Sequence, residues 1–123
     1  MQGFLRLPTG PITIDECSPD GRFIQLANTS KDKHADLSSW YLIRKVDAQD
    51  GIIYRFPSEF TLYRGQTVRI FTRSSQNERT GNDLVNLEAD SWGLGLYIIT
   101  RLISDNDEER ATHIQSTAYP TSR

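Results

Sequence analysis

Chemistry in this chain would have to pass through very few side chains: two histidines, His34 and His113, and a single cysteine, Cys17. A catalytic dyad or an imidazole metal centre needs a second base or ligand at a defined spacing, and neither histidine has one. His34 lies between Asp32 and Asp36, a weak cluster that reads as solvated loop rather than as a metal site. The run Asp105-Asn106-Asp107-Glu108-Glu109 offers oxygens but lacks the alternating ligands and terminal bidentate Glu of a helix-loop-helix calcium loop. It reads as a hairpin turn. Cys17 is neighboured by Asp15, Glu16 and Asp20, which disfavour a thiolate, and no activating cation or base stands beside it in the sequence. Nothing sets two carboxylates across a cleft, as glycoside hydrolysis requires. The expectation is a non-enzymatic chain with no catalytic residue, no metal site and no cofactor.

Partner recognition is the chemistry left over. Arg69 and Arg73 share a strand face with Phe71 between them, which makes the three a candidate partner surface. The chain carries 14 Lys+Arg against 16 Asp+Glu, so no global basic field is available to hold a polyanion or an acidic membrane surface. Nucleic-acid binding would rest on that local patch alone, and acidic residues interrupt its surroundings. Ordinary strand-surface charge is the plainer reading, and nucleic acid is not an expected partner.

Trp92-Gly93-Leu94-Gly95 sits between two β-like runs, with no lysine and no helix-length pattern after it, so it does not read as a phosphate cradle. A large indole beside two residues that tolerate φ > 0 predicts a structural corner, with the backbone bending and the ring plugging the end of a core.

The elements that must position these residues are short strands. At 123 residues the chain fits one domain, of a size that buries roughly two thirds of its unfolded surface. One cysteine excludes an internal disulfide and a four-thiolate zinc site, which favours a reducing compartment. No stretch approaches the roughly 18 apolar residues of a membrane-spanning helix, so no membrane insertion is expected. Residues 1–11 read as a leader or linker, 12–116 as the domain and 117–123 as a flexible tail, the two ends resembling cuts in a longer protein.

Within the domain, Ile12 to Cys17 and Arg22 to Asn28 form a predicted hairpin around the turn Pro19-Asp20-Gly21. Ile14 and Cys17 share a face only if a bulge intervenes. Asn28 to Ser38 reads as loop. Trp40, Leu42 and Arg44 alternate with Tyr41, Ile43 and Lys45, so this strand should be central. Ile52 to Phe56, Gln66 to Arg73, Tyr97 to Ser104 and a short run near Arg110 to Ile114 follow as strands, and Ser74 to Asn82 reads as an exposed polar loop. Ile24, Leu26, Trp40, Leu42, Val68, Ile70, Leu84, Ile98 and Leu102 are the core candidates. About seven to nine short strands with no convincing helix predict an all-β sandwich.

Several separated motifs agree in register with one family. Arg22-Phe23-Ile24-Gln25-Leu26-Ala27-Asn28, Trp40, Tyr54-Arg55-Phe56-Pro57 with Phe60, Leu62 and Gly65, Asp83-Leu84-Val85, and Trp92-Gly93-Leu94-Gly95 resemble, in order and spacing, the lamin tail domain of intermediate filament proteins. The ending Asp107 to His113 looks closest to the tails of invertebrate, nematode-type cytoplasmic members. The resemblance implies an immunoglobulin-like β-sandwich attached to a coiled-coil rod outside this chain. Filament subunits and attachment proteins are the implied partners, and a cytoplasmic filament the implied location. The nuclear lamina is the alternative. In lamins a basic surface of this domain is implicated in chromatin contacts, but Ile99 stands where the arginine of that surface would fall. Chromatin binding is therefore not carried over. An immunoglobulin-like adhesion module and an accessory ligand-binding domain of a secreted hydrolase are the other readings; the residues upstream of Met1 separate all of these.

Overall fold

In a computed structural model, which describes residues 10–117, the chain folds into two four-stranded sheets packed face to face. The strands are β1 (Ile12–Cys17), β2 (Phe23–Asn28), β3 (Ala35–Asp36), β4 (Tyr41–Val46), β5 (Ile52–Arg55), β6 (Thr61–Leu62), β7 (Thr67–Thr72), β8 (Leu84–Asn86), β9 (Tyr97–Ile103) and β10 (Glu109–Ser116). One sheet runs β1-β2-β7-β8 and the other β10-β9-β4-β5, while β3 and β6 form a two-stranded piece. The all-β, immunoglobulin-like sandwich is thus the fold, with eight strands in the two main sheets. Of the predicted leader and tail, residues 1–9 and 118–123 lie outside the described residues.

Local sequence explains much of this layout. Gly21 takes φ +77° in the turn between β1 and β2, and the hairpin pairs Ile12 with Asn28 and Cys17 with Ile24. The register shifts between Ile14 and Glu16, which is the bulge that lets Ile14 and Cys17 both face inward, at 8 % and 6 % exposure. β4 lies between β9 and β5, as its two apolar faces demand. Ile24, Leu26, Val68 and Ile70 from one sheet meet Leu42, Tyr54, Leu102 and Ala111 from the other. Eight of the nine predicted core residues are buried; Leu84 is half-buried and packs against the same core.

Three expectations change. The polar stretch after β7 contains a 3-10 helix, Arg73–Glu78, in which Ser75 is buried. That turn carries the chain across the sheet edge, so β8 pairs parallel to β7 rather than antiparallel. The last strand spans eight residues instead of a short run, because its inward side continues through Ala111, His113 and Gln115 opposite β9. The predicted loop after β2 contributes β3 and a fully buried Leu37.

Trp92 is fully buried, and the segment it opens crosses from one sheet to the other. Its indole N–H donates to the carbonyl of Ile70 at 2.9 Å, and its backbone N–H to Gly21 at 2.8 Å. The two glycines are required for different reasons. Gly93 has φ +91°, and a Cβ there would come within 2.8 Å of Val46 Cγ2. Gly95 has no positive φ, contrary to the sequence expectation; instead a Cβ would lie 2.5 Å from Asp47 Oδ2 and 2.7 Å from Val46 Cγ1. Close approach to the end of β4, rather than torsional freedom alone, sets both positions.

Opposite this corner stands Arg44, 1 % exposed. Its Nε donates to the Trp92 carbonyl at 2.7 Å and its Nη2 to the Gly93 carbonyl at 3.3 Å. Nη1 donates to Thr100 Oγ1 at 3.0 Å and to Gln115 Oε1 at 3.3 Å. A buried cation is tolerated when its donors are spent on fixed acceptors, and here four hydrogen bonds carry the planar fork to β9, β10 and the corner at once. Burial pulls the Arg44 pKa below its ordinary value, yet a guanidinium keeps its charge in proteins.

Two outcomes follow. Trp92→Ala should destabilise the domain by about 3–5 kcal/mol, as for other buried aromatics, read as a large fall in melting temperature. An unchanged transition would mean that the ring is not a core residue. Arg44→Lys, which keeps the charge but loses the fork, should cost about 2 kcal/mol in urea unfolding because acceptors are left without donors. Wild-type stability in that variant would show that the charge alone matters.

Candidate functional site

The candidate partner surface lies on the outer side of the β1-β2-β7-β8 sheet. Along β7, Val68 and Ile70 point into the core while Thr67, Arg69 and Phe71 point away from it. The structure separates the three predicted residues. Phe71 is 1 % exposed, because its ring packs on Phe23, 5.6 Å between centroids, and it cannot meet a partner directly. Arg69 lies across the same Phe23 ring at 4.6 Å and donates from Nε to Gln25 Oε1 at 2.8 Å. Arg73 has left the strand. Its Nε and Nη2 both reach Asp90 Oδ1, at 2.9 and 2.8 Å, and Nη1 donates to the Leu87 carbonyl. What this face presents is two exposed arginines, each already held within the chain, above a small buried aromatic pair. The exposed Arg73–Asp90 pair adds little to stability, but these contacts fix where the two cations sit.

Cys17 and His113 meet, which their separation in sequence concealed. Their strands, β1 and β10, run beside each other at the open side of the sandwich, and Cys17 Sγ lies 3.6 Å from His113 Nδ1 and 3.9 Å from Thr100 Oγ1. The expectation that no base or cation stands near Cys17 is therefore corrected: His113 touches it, and the charge of Arg44 acts on it. Burial nevertheless dominates and pushes the thiol pKa up, with Arg44 and Thr100 opposing and Glu16 adding a smaller upward push. A buried thiol held protonated is a poor nucleophile. His113 is held below its ordinary 6.5, first by burial and then by Arg44. Burial keeps both groups neutral; Arg44 works against it at the thiol and reinforces it at the imidazole.

The remaining candidates are structural. His34 Nδ1 accepts the Arg64 backbone N–H at 3.1 Å, and its ring meets Tyr63 edge-on at 4.7 Å. Asp32 accepts from the Ser30 hydroxyl. Asp36 accepts from the Ser38 hydroxyl and amide, which hold its carboxyl below the usual range. The acidic run forms the β9–β10 turn, where Ser104 caps the Glu108 amide, Asp107 takes φ +66° and Glu109 pairs with Arg101.

The neutral His113 predicts a pH dependence. A histidine whose folded pKa is depressed takes up a proton more readily when unfolded, so stability is full above the unfolded value and falls as pH drops through it. The urea midpoint should decline between about pH 7.5 and about 5.5, above the range in which the low-pKa carboxylates Asp20 and Asp36 contribute. His113→Gln should flatten that slope. An identical slope in the variant would remove His113 from the explanation.

Comparison with known proteins agrees with this geometry. The chain matches the family Lamin Tail Domain over residues 7–117. It is 38% identical over 118 residues to intermediate filament protein ifa-3 of Caenorhabditis elegans, covering 96% of this chain and 20% of that protein. Identity to ifa-1 of the same nematode is 40% over 114 residues, covering 93% of this chain and 20% of that protein. Identity to intermediate filament protein B of Ascaris suum is 36% over 115 residues, with 93% and 20% covered. This chain thus spans about a fifth of the length of these relatives. With the sandwich, the buried Trp-Gly corner and a match that covers nearly every described residue, the chain belongs to the lamin tail domain family, a structural domain of intermediate filament proteins rather than an enzyme.

Proposed function

We propose that this chain is the globular tail of a cytoplasmic intermediate filament protein, carried on a coiled-coil rod outside residues 1–123 that performs the polymerisation. The match to nematode intermediate filament proteins along almost the whole chain carries this reading. The residues that resemble chemistry support it from the other side: Cys17 meets His113, and Thr100 links Cys17 to Arg44 inside the sandwich, while the exposed surface is an array of charged and apolar strand faces suited to protein contacts. Residues 12–116 form the folding unit in this proposal, with a linker before and a tail after.

Filament subunits and attachment proteins are the proposed partners, and the cytoskeletal filament the proposed location. Arg69 and Arg73 form one contact on the β1-β2-β7-β8 face, with Phe71 supporting them from beneath.

Expression of the full-length product in cultured cells tests the proposal. Cytoplasmic filaments visible by electron microscopy, carrying the domain on their surface, are the expected result. A product with no heptad-repeat rod, or one confined to the nuclear periphery, would overturn it. For the arginine contact, Arg69→Glu combined with Arg73→Glu should lower co-pelleting of this domain with purified filaments several-fold without unfolding it. Undiminished pelleting would move the contact elsewhere.

A further inference from the structure

Among the described residues seven large apolar side chains stand exposed, and three of them, Ile53, Tyr97 and Ile114, lie in the strands of one sheet, β10-β9-β4-β5, with Leu96 directly before β9. Strand register maps that face. Ile114 pairs with Ile99, and Ile99 with Lys45. In the next row Thr112 pairs with Arg101, Arg101 with Ile43, and Ile43 with Ile53. In the third, Glu109 pairs with Ile103, Ile103 with Tyr41, and Tyr41 with Arg55. Ile114, Ile99, Ile43 and Ile53 therefore make an apolar diagonal across all four strands, with its two ends each 53 % exposed. Among the described residues no element covers it.

Charge frames this diagonal on both sides. Lys45 flanks it on one side, and Arg101 and Arg55 on the other. The three mapped rows hold one carboxylate, Glu109, which lies 3.7 Å from Arg101. Arg55 stacks over the Tyr41 ring at 4.9 Å and donates to the Ser39 carbonyl, with no acidic partner. Asp47 and Asp107 sit at the margins, accepting the Leu96 and Tyr97 amides and the Tyr41 hydroxyl respectively. A second copy of this face would oppose cation to cation.

We propose that this face docks an amphipathic helix of a partner protein, one whose apolar stripe is bordered on both sides by Asp or Glu. Three strand spacings and a two-residue step put Ile114 and Ile53 ~16 Å apart, the length of about three helical turns. A helix laid along the diagonal sets its i, i+4, i+7 and i+11 side chains on the isoleucines and its acidic flanks against Lys45, Arg101 and Arg55. Ile43 and Ile99 are half-buried between longer cationic side chains, a surface that receives a stripe rather than one that projects into lipid. The inference stands on this face and does not depend on the filament reading.

The test uses a synthetic helical peptide of roughly 18 residues with a leucine stripe and glutamate flanks, and the same peptide with lysine flanks, titrated into the isotope-labelled chain. Saturable amide shifts at residues 43, 53, 99 and 114 are expected from the acidic peptide and not from the basic one. Lys45→Glu should raise its Kd by roughly tenfold, and Ile114→Asp should abolish binding while the melting temperature shows that both variants fold. Equal binding of both peptides, shifts confined to other faces, or indifference to Lys45→Glu would overturn the proposal. So would flotation with phosphatidylserine vesicles, or dimerisation in sedimentation, that Ile114→Asp removes, since the face would then belong to a membrane or to a second copy.

Discussion

The Arg44 guanidinium is the contact on which the rest of the sandwich depends. It is a buried cation with no carboxylate, held by the carbonyls of Trp92 and Gly93 and by Thr100 and Gln115. Carbonyl dipoles offset the loss of hydration only while they stay in place, so the charge and the corner are mutually dependent. Trp92 extends the linkage into the opposite sheet through Ile70 and into the β1–β2 turn through Gly21. Two sheets that otherwise meet mainly through non-directional apolar burial are thereby given one register. Specificity of arrangement, rather than raw stability, is what a satisfied buried polar group supplies here.

Burial beside that cation explains why the most reactive-looking residues are silent. Cys17 and His113 share the Arg44 pocket, where burial keeps the thiol protonated and the imidazole neutral. The positive charge reinforces the neutral imidazole and is outweighed by burial at the thiol. The lamin tail domain, in this chain, consumes its polar interior in holding the two sheets together. The two outer faces differ in kind. The β1-β2-β7-β8 face buries its aromatics under arginines that already have partners, whereas the β10-β9-β4-β5 face leaves an isoleucine diagonal open between cations.

Much of the fold was legible because it is written in short-range patterns. Alternation along β2, β4 and β7 marks the inward residues, and Pro19-Asp20-Gly21 marks the first turn. The geometric demand of the bulge in β1 could be stated from Ile14 and Cys17 alone, and the register shift meets it. The parallel pairing of β8 was not legible, since alternation does not encode the direction of a neighbour. Nor was the 3-10 helix in a segment with no apolar period. Phe71 misled for a related reason: its strand phase correctly places it on the outer face, but phase does not say that Phe23 and Arg69 roof that face over.

The sequence by itself determined the class of this protein: an all-β sandwich with balanced charge, one cysteine, a Trp-Gly corner and motifs spaced as in the lamin tail domain. The fold class and the corner follow from periodicity, turn chemistry and composition, which act over a few residues; the family follows from the resemblance of its separated motifs. Only the tertiary structure decided how Arg44, Cys17, His113 and the outer isoleucines are placed. Arg44 alternates with Trp40 and Leu42 in the sequence, but whether such a side chain is paired or left as a fault depends on acceptors 48 to 71 positions away. The isoleucine diagonal likewise exists only where four strands lie side by side in one register.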